Sequence, residues 1–464
     1  MLRKWQKKCA DTALRKYGTG TSHFLCLASP GSGKTVMAAE VARRMLSQGM
    51  IDLIICFAPS SEVVSSIEGT FSKVLKSNFT GGLGAVGGAY TYHNLIHFDK
   101  SFWDTLARHR FLVIFDEIHH CSGDSQVNAN TWGSEILTHI KHCARYTLAL
   151  TGTPWRTDNL PIVLSDYAST DGKICCDYIY GLHDAIADGV CRKPKIVLIN
   201  SDSLVYSSSE STKHFGSISE FLSENLVSYR SFLWHPETIR YVIKSGCEKL
   251  HELRKENPSA GGLIVASSVE HASQLLNILE NEFAQTATMV TYHDKQALSK
   301  IDHFRNGTTE WIVSVGMISE GTDIPRLQVC CHLSTVKTEL YFRQVLGRIV
   351  RLNRFKNQEA WLFTFATQEL TLFAERLAEE LPEEYRIIQN ENVFPAIDKH
   401  VNISGSDIRT KALRFINTEI RHSDLRLDLN TLESKNTSFD KTATHLTINS
   451  LHQRVINAFL TSDN

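Results

Sequence analysis

Gly31, Gly33, Lys34 and Thr35 stand together in Ala28-Ser29-Pro30-Gly31-Ser32-Gly33-Lys34-Thr35. Two closely spaced glycines let the backbone wrap so that successive N–H groups point at an anion. A lysine placed there reaches the β- and γ-phosphates of a nucleoside triphosphate, and the hydroxyl after it holds Mg²⁺. The stretch follows an apolar run at 24–27 and precedes residues 36–42, which read as a helix. Strand, glycine-rich turn and helix is the context in which this spacing signifies a phosphate cradle, because the helix start adds partial positive charge. Ala28 takes the place of the first glycine, a departure that a tight turn tolerates. Pro30, Gly31, Ser32, Gly33, Lys34 and Thr35 are therefore the candidate nucleotide-binding residues.

Two further groups complete such chemistry. Asp116 and Glu117 close an apolar run at 111–115. One carboxylate at that place completes Mg²⁺ coordination, and its neighbour polarises the attacking water. Gln344, Arg348 and Arg351 follow at helical spacing, so one helix face carries all three. Guanidinium groups aimed at a γ-phosphate stabilise transition-state charge, worth on the order of a thousandfold in rate. These groups lie far apart in the chain, and the fold must bring them together.

The elements that could do so are legible as apolar runs. Short buried runs at 51–58, 111–115 and 146–150 read as parallel strands, each ending in polar residues. Similar runs follow at 262–266, 311–315, 329–333 and 361–365, and residues 2–17, 236–254 and 340–351 read as helices. Residues 201–212 are serine-rich and read as a loop or an inserted hairpin. Strands alternating with helices predict an α/β fold of doubly wound parallel sheets, with ligands at the carboxyl edge. The 464 residues leave room for two or three domains. Hydrophobic residues make up 42% and charged residues 21%, the balance of a soluble globular chain. A net charge of −1 confines any nucleic-acid site to a local patch. No apolar run is long enough to span a membrane, and the N-terminus lacks a signal peptide's apolar core, so a cytoplasmic location is expected. The 11 cysteines include no C-x-x-C and read as buried free thiols. His119, His120, Cys121, His139, His142 and Cys143 cluster without matching a standard zinc spacing.

With these motifs in this order, the sequence resembles the superfamily 2 helicases and translocases, from Leu2 to about Phe365. Leu2-Arg3-Lys4-Trp5-Gln6 looks like the adenine-reading motif, which places Gln6 on the base. Residues 28–35 resemble motif I, Asp116-Glu117-Ile118-His119 motif II in its DExH form, and Thr151-Gly152-Thr153-Pro154-Trp155-Arg156 motif III. Glu320-Gly321-Thr322-Asp323-Ile324-Pro325 resembles motif V, and residues 344–351 the Q-x-x-G-R-x-x-R of motif VI. The resemblance implies two tandem RecA-like domains, at 1–195 and 255–385. A linker or insertion at 196–254 and a small helical C-terminal segment at 386–464 complete the expected order. It implies ATP and Mg²⁺ held between the lobes, with Gly321 and Asp323 joining the nucleotide site and Thr35 and Asp116 holding the metal. Lys34, Asp116, Glu117, Gln344, Arg348 and Arg351 become the catalytic set, with Arg351 the arginine finger and Gln344 facing His119. A nucleic-acid track would run along Pro59, Ser60, Tyr92, His93, Ser267 and Thr322, held through phosphates. A helix N-cap is the competing reading for Ser60 and Ser267.

Thr-Gly-Thr-Pro-Trp-Arg resembles the double-stranded DNA translocases of the XPB-like and type I and III restriction groups. That implies a DNA helicase or translocase in repair, restriction or phage defence. No effector motif is recognisable, so a nuclease or other effector on a separate chain is an expected partner. An RNA helicase, or an ATP-gated sensor that clamps nucleic acid without unwinding it, are the alternatives. The placement of Gln6 predicts faster turnover of ATP than of GTP, and equal kcat/KM for the two nucleotides would remove it from the base.

Overall fold

The computed structural model describes residues 2–457 apart from 124, 126–127, 154–159, 169–173, 209–210, 317–321, 354, 356–357, 379–386 and 390–444. Its first lobe is built on β1 (His23–Ala28), β2 (Leu53–Ala58), β3 (Gly87–Thr91), β4 (Phe111–Asp116) and β5 (Tyr146–Thr151). A short antiparallel pair, β6 (Asp166–Tyr167) and β7 (Ile174–Cys176), precedes β8 (Tyr178–Tyr180). The six-stranded sheet has the order β3-β2-β4-β5-β1-β8. Every pairing in it is parallel. Such strands are covered on both faces, which is why each reads as a continuous apolar run. β4 is buried at all six positions. Parallel order also puts every strand's carboxyl end on one edge. The phosphate loop, Asp116-Glu117, Thr151-Gly152-Thr153 and Pro59-Ser60 all leave from that edge.

The helix Lys4–Gly18 lies over β1 and β8. Trp5 stacks on Tyr180 with ring centroids 4.6 Å apart, and the Tyr17 hydroxyl donates to Thr147 O at 2.9 Å. The helix is thereby fixed with its first turn beside the phosphate loop.

The second lobe starts earlier in the chain than the spacing of motifs suggests. β9 (Lys193–Ser207) falls mostly within the stretch expected to link the lobes, yet it belongs to the second sheet. With β10 (Thr212–Phe215) it forms the antiparallel hairpin that was one reading of the serine-rich stretch. The core of the lobe is β11 (Gly261–Ala266), β12 (Ala287–Thr291), β13 (Trp311–Val315), β14 (Leu327–Leu333) and β15 (Glu359–Phe365). These strands run parallel in the order β15-β14-β11-β13-β12, and β15 pairs in parallel with Lys193–Ile199 of β9. The helix Pro236–Glu256 buries Ile239, Val242, Ile243, Leu250 and Leu253 against this sheet's apolar core.

The far edge of β9 is covered by the chain's own C-terminal region. Beyond β16 (Ile387–Gln389), which pairs with β7, comes β17 (His445–Asn457). β17 runs antiparallel along β9 from Ser207 to Lys195. This corrects the helical expectation for 386–464 within its described part. Ile448 and Ile456 of β17 are buried, whereas Thr447 and residues 452–455 are exposed, so the strand is only partly covered. A long strand left open along one edge would invite pairing with another chain, and β17 closes it. All eleven cysteines are free thiols, buried except for the half-buried Cys143 and Cys175. No helix among the described residues is long and apolar enough to cross a membrane.

Trp5→Ala should cost the first lobe about 3–5 kcal/mol, the usual range for emptying a buried aromatic site. Denaturant unfolding would measure it; a loss under 1 kcal/mol would mean that the helix Lys4–Gly18 is not anchored by the Tyr180 stack.

Candidate nucleotide site between the two lobes

β1 delivers Ala28 to the turn, and Gly33 closes it as N-cap of the helix Lys34–Ser47, with φ 92°. An L side chain is strained in that left-handed region, and a Cβ there would also lie 2.7 Å from Gln6 Nε2. The loop's carbonyls are held from outside. Arg3 Nη1 donates to Ser32 O at 2.5 Å, and Gln6 Nε2 donates to Gly33 O at 3.0 Å. Gln6 Oε1 accepts from Arg3 N at 2.8 Å, so the pair acts as one clamp. Gln6 thus contacts the loop backbone. Arg3 was not singled out from the sequence, although it stands inside the Leu-Arg-x-Trp-Gln signature.

Lys34 opens the helix and is buried, with Nζ 2.8 Å from Glu117 Oε1. Glu117 is the residue after β4 and adopts φ 52°, a left-handed conformation that is costly for a side-chain-bearing residue and typical of functional turns. Its second oxygen accepts from Gly152 N at 3.0 Å and lies 3.5 Å from His119 Nδ1. His119 Nδ1 is also 3.0 Å from Thr151 Oγ1. Thr151 Oγ1 accepts from Thr153 N at 3.0 Å and folds the 151–153 turn onto itself. Motif III therefore touches the motif II carboxylate through the Gly152 amide.

The two carboxylates are driven apart in acidity. Burial, together with the adjacent Glu117 charge, raises Asp116. Burial opposes ionisation of Glu117 as well, but the Lys34 ammonium and then His119 outweigh it and hold Glu117 below the usual carboxylate range. Environments that separate two neighbouring acids assign them different tasks. A divalent cation at Asp116 would reverse its shift, since the ion's own charge dominates such a site.

Asp116 Oδ1 and Ser32 Oγ are buried and without a hydrogen-bond partner among the described residues. Buried polar atoms are normally satisfied, so unpaired ones in a phosphate loop and on the motif II Asp116 carboxylate mark places for ligand atoms. With half-buried Thr35 in the first helical turn, these residues fit a nucleotide and a divalent metal.

The second lobe closes over this loop. The helix Glu339–Ile349 carries Gln344, half-buried, and Arg348, buried. Gly347 abuts Pro30: a Cβ on it would lie 2.7 Å from Pro30 Cβ. Arg351 passes so close to the phosphate loop that a Cβ on Gly31 would meet its Cγ at 3.0 Å. Its Nη1 pairs with Asp323 Oδ1, and Arg348 Nη1 donates to Thr322 O at 2.6 Å. Both arginines thus contact motif V, and Arg351 alone of the two also lies against motif I. Asp323 lies at the same cleft with its carboxylate largely exposed. Gly321, with Glu320 and Pro154-Trp155-Arg156, lies outside the described residues.

Two family profiles match the chain. One, described as the type III restriction enzyme res subunit, matches residues 1–156, and the helicase conserved C-terminal domain matches residues 245–353. The chain belongs to the superfamily 2 helicases. An uncharacterised protein of Mycobacterium leprae is 32% identical over 395 residues, covering 81% of this chain and 64% of that protein. The chain thus spans somewhat under two thirds of the length of that relative. A DNA 3'-5' translocase, XPB2, of Sulfurisphaera tokodaii is 23% identical over 73% of this chain and 76% of its own length. Among solved structures, a fragment of an HsdR subunit of a type I restriction enzyme from Vibrio vulnificus has a TM-score of 0.54 at 18% identity, covering 83% of this chain and 68% of that one. A DNA-bound type ISP restriction-modification enzyme gives 0.51 at 13% identity, over 79% of this helicase and 28% of that chain. At these identities the structures show a shared fold.

Residues expected on the nucleic-acid track fall into two groups. His93 is exposed, and Pro59, Ser60 and Ser267 are half-buried at strand ends. Ser60 is the N-cap of Ser61–Leu75, accepting from Val63 N at 3.4 Å. Ser267 is not a cap: Ser268 fills that role for Val269–Asn281, and Ser267 Oγ accepts from Trp234 Nε1 at 3.1 Å. Tyr92 and Thr322 are buried. The Tyr92 hydroxyl donates to Asp116 O at 2.9 Å, and its ring packs on Phe57 and Trp132. Its side chain offers no face to a polymer, and its place is to brace β4 beneath Asp116.

Lys34→Ala and Glu117→Gln should each lower nucleotide turnover at least ~100-fold, the scale of removing one preorganised charged group. Steady-state hydrolysis with a parallel binding titration would separate them: Lys34→Ala loses affinity, and Glu117→Gln retains it. Wild-type turnover in either variant would overturn the site.

Proposed function

We propose that this helicase hydrolyses ATP with Mg²⁺ in the cleft between its lobes and uses the cycle to move along DNA. The observation that carries the reading is the split site. Lys34, Asp116 and Glu117 stand on one lobe and Arg351 on the other, with Pro30 against Gly347 at the seam. Lys34 would hold the β- and γ-phosphates, and Thr35 and Asp116 would hold the metal, which supplies charge neutralisation on the phosphoryl oxygens. Ionised Glu117 would take a proton from the attacking water. Arg351 would meet charge on the transferring phosphoryl group. Gln6, one bond from the loop backbone, would read the adenine edge. Because the finger and the base sit on different lobes, hydrolysis and separation of the lobes are linked.

Pro59, Ser60, His93 and Ser267 would follow the nucleic-acid backbone, with the backbone at Thr322 between them. Hydroxyls and helix starts of this kind bind phosphate without reading bases. DNA is favoured over RNA by the likeness to a DNA translocase and to restriction-enzyme subunits. A separate nuclease or other effector subunit is a partner consistent with that likeness.

Arg351→Ala should retain nucleotide affinity and lose roughly a thousandfold in kcat, as expected for an arginine finger. ATPase rates against single-stranded, duplex and forked DNA and RNA would test the polymer. Stimulation by RNA alone, or by none of them, would overturn the DNA reading.

A further inference from the structure

Arg192 lies at the end of the segment that joins the lobes, just before β9, and its side chain is entirely buried. Its guanidinium makes four hydrogen bonds. Nη1 donates to Leu327 O at 2.5 Å and to Ile349 O at 3.0 Å. Nη2 donates to Pro325 O at 2.9 Å, and Nε to Gln358 Oε1 at 3.1 Å. Its backbone N–H donates to Val350 O at 2.6 Å, and Cys191 next to it forms an isolated antiparallel bridge with Arg351. Cys191 Sγ in turn donates to Pro30 O at 3.6 Å.

These acceptors are not a random set. Ile349 and Val350 end the helix that carries motif VI, where backbone carbonyls have no helical partner and carry the negative end of the helix dipole. Pro325 and Leu327 carry the chain from motif V into β14. One planar, five-donor group thus ties together the segments that present Arg348, Arg351, Thr322 and Asp323. Burial pushes the guanidinium down to about 9, so at neutral pH it is still charged. A buried cation is costly to keep, and here its compensation is a ring of carbonyl dipoles from functional loops.

We propose that Arg192 is a positioning residue for hydrolysis. It would lock the exit of the motif VI helix and the motif V loop to the interlobe connector, so that Arg351 meets the phosphate loop only when connector and second lobe move as one. This rests on the proposed ATPase activity. Neither the spacing nor any motif singles Arg192 out; only the convergence of the four acceptors does.

The test uses the full chain and compares wild type, Arg192→Met, Arg192→Lys and Arg351→Ala. Arg192→Met should leave ATP affinity within about twofold and lower kcat at least tenfold, with KM little changed. Arg192→Lys, which keeps the charge but cannot reach all four acceptors, should fall between. In an Arg351→Ala background, Arg192→Met should cause no further loss of kcat, because there is no finger left to position. A multiplicative further loss, or a wild-type kcat in Arg192→Met, overturns the proposal while leaving the ATPase reading intact. If Arg192→Met does not fold, Arg192→Lys and Gln358→Leu carry the same comparison with Arg351→Ala, and additivity there overturns it equally. A wild-type protein with no ATPase under any nucleic acid would instead overturn the proposed function.

Discussion

The contact on which the site depends is the approach of Pro30 to Gly347. The motif VI helix can come down on the phosphate loop only because position 347 has no side chain, since a Cβ there would overlap the proline ring. That approach brings Arg351 alongside Gly31. Interfaces packed this closely have few intermediate arrangements, so in the proposed cycle the two lobes would be either closed or open.

Charge follows from that geometry. Lys34 and His119 keep Glu117 ionised, while burial and the neighbouring Glu117 charge leave Asp116 reluctant to ionise despite Lys34. The Gly152 amide adds a fixed dipole on Glu117 from the 151–153 turn. A movement of that turn would therefore be felt at Glu117 directly, through one hydrogen bond. The Tyr92 hydroxyl on Asp116 O stiffens the same point from below.

Much of this was legible in the sequence because the chemistry needs fixed residue types at fixed strand ends. The strands at 53–58, 111–116, 146–151 and 311–315 are buried on both faces, and a continuous apolar run states that plainly. The phosphate loop and Asp116-Glu117 announce themselves by type and spacing. Other parts were hidden for physical reasons. β3 reads Gly-Gly-Ala-Tyr-Thr, with too little apolar bulk to stand out from the glycine-rich loop before it. β9 switches from a buried run, Ile196–Ile199, to a serine-rich half whose sequence fits a loop as well as a hairpin. Tyr92 sits between polar Thr91 and His93-Asn94, and only packing distinguishes a bracing tyrosine from one facing a polymer. Arg192 carries no local signal, since its acceptors come from three segments remote in the chain.

The arrangement of β9 gives the second lobe an unusual dependence on both ends of its sequence. One edge of β9 holds β15 and the hairpin partner β10, and the other edge holds β17. The strand that receives the interlobe connector is thus the strand that the C-terminal region grips along nearly its whole length. Arg192 stands at its start, bonded to the exit of the motif VI helix. Any force that the C-terminal region exerts on β9 acts on the strand that directly follows Arg192. Backbone ladders resist shear along the strand better than rotation about it, because each shift of register breaks several hydrogen bonds at once. The connector and β17 are therefore bonded into the second lobe as one body, and under the proposed cycle Arg351 would leave Gly31 by movement of that body as a whole.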